Sequence, residues 1–301
     1  MDREGYARLL SAQGFPIIRA AGELWVEKRG FFLESIPPHR RIHIRKEDTT
    51  RLLLRGYAAL RYSCSESEGR TSYEYVLSDK DYRLEKQPHK VRSQTRKGLR
   101  ESEVRRIDFD LLADQGCAIN RDVFERQHRV GPPFLADESR WRRYMRACGS
   151  LDDLEPWGCF IKGRLCAYLL GVFVDDYAYS FHGFGLAEVL SLNPMNALFT
   201  TAFSDFLKRP TVNQVSFGLE SFNPMTSLDH FKQCMGFQKK SIGRNVLVNP
   251  LLRPLFNSPF EKAAQWFSAF RPLKRPLDDY ANFSRALRKQ YGESRSDTSN
   301  L

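Results

Sequence analysis

No stretch of the chain approaches the roughly 20 consecutive apolar residues that a bilayer-spanning helix needs. The opening Met1-Asp2-Arg3-Glu4-Gly5 carries no apolar signal region, so a cytoplasmic protein is expected. None of the six cysteines, at 64, 117, 148, 159, 166 and 234, forms a Cys-x-x-Cys pair. That argues against a disulfide framework and a zinc site, and Cys159 and Cys166, inside apolar runs, read as buried thiols. A Gly-x-Ser-x-Gly elbow is missing, which removes the hydrolase nucleophile it would carry. No His, Cys or carboxylate spacing suggests a metal. There is no internal repeat and no low-complexity tract.

The 301 residues include 42% hydrophobic and 28% charged side chains, a globular balance with length for one large domain or two modest ones. The formal net charge is +11. Such a balance favours polyanionic partners, whether nucleic acid, anionic lipid headgroups or a phosphate-rich cofactor, without choosing among them. Residues 83–106 are the most basic window, with nine Lys and Arg against three Glu. The window has few aromatics, whereas a single-stranded nucleic-acid groove wants stacking rings between its charges. It reads as a solvated helix or an anion-binding one.

Periodicity predicts a short helix over 1–14, stopped at Gly14. Short strands follow around 15–18, 24–26, 31–33 and 73–77, with a helix around 49–60 through Leu52, Leu53, Tyr57 and Leu60. A strand at 104–108 leads into helices within 108–129 and 138–148. Three antiparallel strands then span 157–182, the first pair joined by the two-residue turn Lys162-Gly163. A helix over 194–208 starts with Pro194 in its first turn and Asn193 as its cap. A strand over 212–219, a helix over 225–235 and one or two strands over 237–248 complete this region. Ser258-Pro259-Phe260-Glu261 reads as a capping box opening an amphipathic helix over 258–270, followed by a helix over 278–290 and a polar tail from 292. The amphipathic stripe packs on its own domain or a second subunit, or docks peripherally on anionic lipid.

This order of elements resembles the core of the GNAT-type acyl-CoA N-acyltransferases, and more closely the FemAB-like branch. The segments that carry the resemblance span roughly 85–250. They are the basic helix Lys90–Arg100, Gly163-Arg164-Leu165-Cys166-Ala167-Tyr168-Leu169, Asn193-Pro194-Met195-Asn196-Ala197-Leu198, Val215-Ser216-Phe217-Gly218, and Phe231-Lys232-Gln233-Cys234-Met235-Gly236-Phe237. The resemblance implies a mixed α/β (α+β mixed-sheet) fold: a β-rich N-terminal region with the basic helix (1–100), a GNAT-like core (101–250), and C-terminal helices with a tail (251–301). It implies transfer of an acyl or aminoacyl group onto an amine, in cell-envelope or polysaccharide precursor synthesis. Acyl-CoA or aminoacyl-tRNA would be the co-substrate, no cofactor would be tightly bound, and tRNA would be a partner. One segment departs from the acyl-CoA pattern. Where a glycine-rich pyrophosphate loop is usual, the chain reads Phe184-Gly185-Leu186-Ala187-Glu188-Val189-Leu190-Ser191-Leu192-Asn193-Pro194.

Acyl transfer needs a neutral amine, a polarised carbonyl and alignment. Lys232 resembles the lysine that FemAB-like transferases place near the reacting acyl group, where it would stabilise charge; the alternative is a surface lysine beside the buried Phe231. Glu220, just past an apolar strand, would accept the amine proton or serve as a turn or cap residue. Phe231, Asn223, His182 and Tyr179 are the substrate-binding candidates. Against these roles, Asn223 also suits the Asn223-Pro224 turn, His182 suits a packed, hydrogen-bonded site among aromatics, and Tyr179 suits a place filling the sheet. Two rivals stand: an acyl-CoA N-acetyltransferase of a small amine, and a non-catalytic protein of the same fold that binds RNA or an anionic surface.

Overall fold

In the computed structural model the described residues are 1–28, 31–220 and 226–252. In chain order the first half holds α1 (Arg3–Ala12), β1 (Ile17–Ala20), β2 (Glu23–Lys28), β3 (Phe32–Ser35), α2 (Lys46–Leu54), β4 (Ala59–Cys64), β5 (Arg70–Leu77), α3 (His89–Glu101) and β6 (Glu103–Arg106). The second half holds α4 (Phe109–Arg126), α5 (Pro133–Ala136), α6 (Glu138–Gly149), β7 (Leu154–Ile161), β8 (Arg164–Val174), β9 (Tyr177–Gly185), α7 (Pro194–Leu207), β10 (Gln214–Leu219), α8 (Thr226–Cys234) and β11 (Gln238–Val248). The expected helices over 258–270 and 278–290 lie outside the described residues. Among those described, no helix is long and apolar enough to cross a membrane.

The described residues form two compact units: Met1–Ile17, Glu74–Leu219 and Ser227–Lys240 in the larger, and residues from Ile18–Tyr73 with Glu220, Thr226 and 241–252 in the other. The sequence-based division at residues 100 and 250 is contiguous, whereas each of these units draws on several chain segments. Residues 74–100 join the larger unit because Glu74, Val76 and Leu77 of β5 pair with Leu219, Ser216 and Val215 of β10. Strand pairing over such a sequence distance leaves no local compositional mark.

The smaller unit is built on β2 and β3 antiparallel, β3 and β4 parallel, and β4 and β11 antiparallel. The expected helix over 49–60 ends at Leu54. Gly56, at φ 102°, turns the chain into β4, whose Leu60 joins Trp25, Leu33, Leu52 and Leu53 in an apolar core. Leu60 thus matches the helical spacing by coincidence. Buried among these strands, Glu34 meets Arg61, Lys28 (2.7 Å) and Arg244 (3.8 Å). Burial alone would raise its carboxyl, but the three cations outweigh burial and hold it well below the usual carboxylate range.

In the larger unit the strand order is β5-β10-β9-β8-β7-β6. The β7–β8 turn has φ 50° at Lys162 and 77° at Gly163, the doubly positive geometry of a tight hairpin turn. One face of this sheet is covered by α7, whose Phe199, Phe203 and Phe206 enter a core with Leu169, Val215 and Phe237. The other face meets α1, α4 and α6, through Tyr6 against Tyr179, Trp141 against Tyr168, and the Tyr168 hydroxyl donating to Asn120 at 2.6 Å.

Removing one member of a buried ion cluster leaves the others uncompensated, at a typical cost of about 3–5 kcal/mol. Glu34→Gln is therefore expected to lower unfolding stability by about that amount in a urea titration. A midpoint equal to wild type would show that the cluster contributes no net stability.

Candidate functional site

β9 and β10 run parallel and pair at three positions: Tyr177 with Gln214, Ala178 with Val215, and Tyr179 with Ser216. Past these the two strands follow other partners. β10 shifts register against β5 between Ser216 and Leu219. On β9, His182 pairs with Leu170 and Ser180 with Gly171, so Phe181 is an extra residue, a β-bulge. The bulge resets the alternation of faces. Phe181 contacts Tyr6 and His182 contacts Tyr144, so both look toward α1 and α6. Ser180 and Gly183 share the α7 face instead.

On that face, where the β9–β10 pairing has ended, lies a cleft of about 350 Å³. Its walls are Phe199 and Met195 of α7, Phe217 of β10 and Phe231 of α8, and Leu190 and Leu228 also line it. Among the described residues, Ser180, Asn193 and Asn196 are its polar side chains, and none that line it is ionisable. Gly183 is required by packing, since a Cβ there would sit 2.9 Å from the Phe199 ring.

Asn193 also lines a second hollow, of about 320 Å³, along α3. Helical spacing turns Val91, Thr95 and Gly98 inward, and a Cβ on Gly98 would lie 2.5 Å from the Asn193 carbonyl oxygen, so glycine lets α3 approach α7. The outward face gives this hollow Arg92, Arg96, Lys97 and Arg100; Lys97 donates to the Ser191 carbonyl at 2.9 Å. Asn193 does not cap α7 with its side chain as expected. Its backbone is left-handed, φ 60°, and its amide reaches the Ser191 carbonyl at 3.4 Å. An extended backbone is what aims a capping side chain at the first-turn N–H groups.

Of the residues predicted from sequence, Phe231 lines the cleft. Lys232 is not a surface lysine: it is 6% exposed. Its ammonium lies 3.3 Å from Asp229, 4.2 Å from the Tyr75 ring centroid and 6.0 Å from that of Phe217, behind the cleft wall. His182 lies on the opposite face of the sheet, its Nε2 3.2 Å from the Tyr144 hydroxyl. Burial among aromatic rings lowers its pKa to about 3, so the imidazole is neutral. Tyr179 is buried and stacks on Tyr177, filling the sheet. Glu220 belongs to the smaller unit, where its N–H donates to Tyr73 (2.7 Å) and its carbonyl accepts from Arg244 (3.4 Å). Asn223 lies outside the described residues. Sequence reasoning missed Ser180, Asn193 and Asn196 as cleft residues. It also missed Glu74, buried and accepting from Ser216 Oγ at 2.6 Å, whose carboxyl burial raises above the ordinary range.

Solved structures with a similar fold include the following. FemX has a similar solved structure, at TM-score 0.57 and 12% identity over 83% of this chain and 93% of that one. So does the C-terminal domain of a putative lysylphosphatidylglycerol synthetase from Agrobacterium fabrum, at TM-score 0.54 and 11% identity over 81% and 86%. A GCN5-related N-acetyltransferase from Kribbella flavida aligns more loosely, at TM-score 0.43 and 10% identity over 82% and 95%. No protein-family model and no curated protein matches the chain.

A histidine held neutral in the fold adds stability above its unfolded pKa, near 6.5, and loses it as pH falls toward 3. Wild type is therefore expected to lose more unfolding free energy than His182→Gln between pH 7 and pH 5 in parallel urea titrations. Parallel losses in the two proteins would remove His182 from the acid response.

Proposed function

We propose that the protein is a cytoplasmic transferase that moves an acyl or aminoacyl group from a phosphate-bearing donor onto an amine, in the cleft bounded by β9, β10, α7 and α8. The observation that supports this most is the junction at Asn193, where a cationic groove meets an uncharged cleft. Arg92, Arg96, Lys97 and Arg100 suit the phosphates of acyl-CoA or of an aminoacyl-tRNA end. The positive end of the α7 dipole lies at the same corner. The acyl end then enters the cleft as a co-substrate rather than a resident cofactor. The envelope-precursor role implied by the family resemblance is carried over as the acceptor class.

The reaction asks little of side chains. The amine nitrogen bonds to the acyl carbon, the carrier's sulfur or oxygen leaves, and the amine proton goes to that departing atom. Ser180 and Asn196 supply neutral hydrogen-bonding groups for alignment. Lys232, behind Phe217, stabilises the developing oxyanion by its field rather than by contact, and a buried charge acts further than an exposed one because less water screens it.

Lys232→Met is expected to lower kcat about 10²-fold in an assay of transfer from acyl-CoA or aminoacyl-RNA to an amine, on protein shown to be folded, and to lower the melting temperature because Asp229 loses its partner. Unchanged turnover would remove Lys232 from the mechanism. Charge reversal at Arg96 and Lys97 is expected to weaken donor binding and flatten its dependence on salt. RNA binding that depends steeply on salt, with no acyl transfer to any amine, would replace the transferase with a binding protein.

A further inference from the structure

We infer that the cleft selects an uncharged, apolar acyl group and rejects a charged one, whichever phosphate-bearing carrier delivers it. This deepens the transferase reading and rests on it for the place of the donor.

Three observations support the inference. Among the described residues the lining contains no ionisable side chain: the acyl group meets Phe199, Phe217, Phe231 and Met195, with Ser180, Asn193 and Asn196 as polar exceptions. A charged group taken there would lose its water and find no opposite charge among those lining residues, a cost that separates it sharply from an apolar group of the same length. Next, the apolar lining reaches solvent: Leu190 is 39% and Leu228 38% exposed, and both line the cleft, so an apolar group entering it meets leucine at the mouth as well as aromatic rings within. Finally, the cations are segregated. Arg92, Arg96, Lys97 and Arg100 line the neighbouring hollow, and Asn193 is common to both. That division fits an amphiphile with phosphate at one end and an apolar group at the other.

The test measures dissociation constants of the full chain for four probes in two arms, each arm keeping the carrier fixed. One arm compares octanoyl-CoA with its ω-carboxylated analogue, suberyl-CoA. The other compares a leucyl-RNA microhelix with a lysyl-RNA microhelix. On at least one carrier the uncharged probe is expected to bind at least tenfold tighter, and the arm that binds identifies the carrier. Leu228→Glu should abolish that preference, and Leu228→Met should keep it, with unchanged melting temperatures. Equal affinity for charged and uncharged probes, or no measurable binding of any of the four, overturns the inference. A preference without transfer to any amine would sink the transferase reading and leave this one standing; transfer without a preference would do the reverse.

Discussion

A parallel strand pair that stops after three residues is the constraint on which the rest of the site depends. A regular ladder between β9 and β10 would satisfy the backbone groups of both strands and close the sheet over the place where the cleft now lies. By ending at Tyr179 and Ser216, the ladder leaves room below α7 that side chains fill only in part. The surrounding packing holds that room open. Phe199, Phe203, Phe217 and Phe237 lean on one another with ring centroids 4.7 to 5.7 Å apart, which braces the walls. Interiors packed to this density resist collapse into a void.

The electrostatics follow from the same arrangement. Among the described residues, the titratable groups nearest the cleft are turned elsewhere or paired. His182 is neutral on the far face, Lys232 is engaged with Asp229 and the Tyr75 ring, and Glu74 is buried against Ser216. Cationic surface gathers instead along α3, where Val91, Thr95 and Gly98 face inward and Arg92, Arg96, Lys97 and Arg100 line the hollow. Charge and apolar surface are thus sorted by helix periodicity on one side of Asn193 and by strand geometry on the other.

Much of this order was legible in the sequence. The meander over 157–182, the helix after Pro194 and the helix ending before Gly236 all stand where periodicity and turn residues put them. The basic window was legible as a helix, solvated or anion-binding, and α3 occupies its middle. What stayed hidden depends on partners distant in the chain. Strand β4 was concealed because Leu60 continues a helical spacing by accident. The compact units interleave because β5 pairs with β10. The cleft residues Ser180 and Asn196 carry no motif; they become visible only when the bulge and α7 bring them together. Lys232 could be singled out by the family resemblance and Asp229 is its neighbour one turn back on α8, but its burial against Tyr75 joins it to a strand distant in the chain.

The bulge on β9 has a consequence for how this wall can vary. In a strand, adding or removing one residue ordinarily exchanges inner and outer faces for everything downstream. Phe181 is already the surplus residue of β9, and the strand on either side of it is in step with β8. Loss of that one position would leave Ser180 and Gly183 facing the cleft and His182 facing away. The strand therefore tolerates a change of length at Phe181 that it would tolerate at neither neighbour, which makes it the point where related chains can differ in length without rebuilding the cleft.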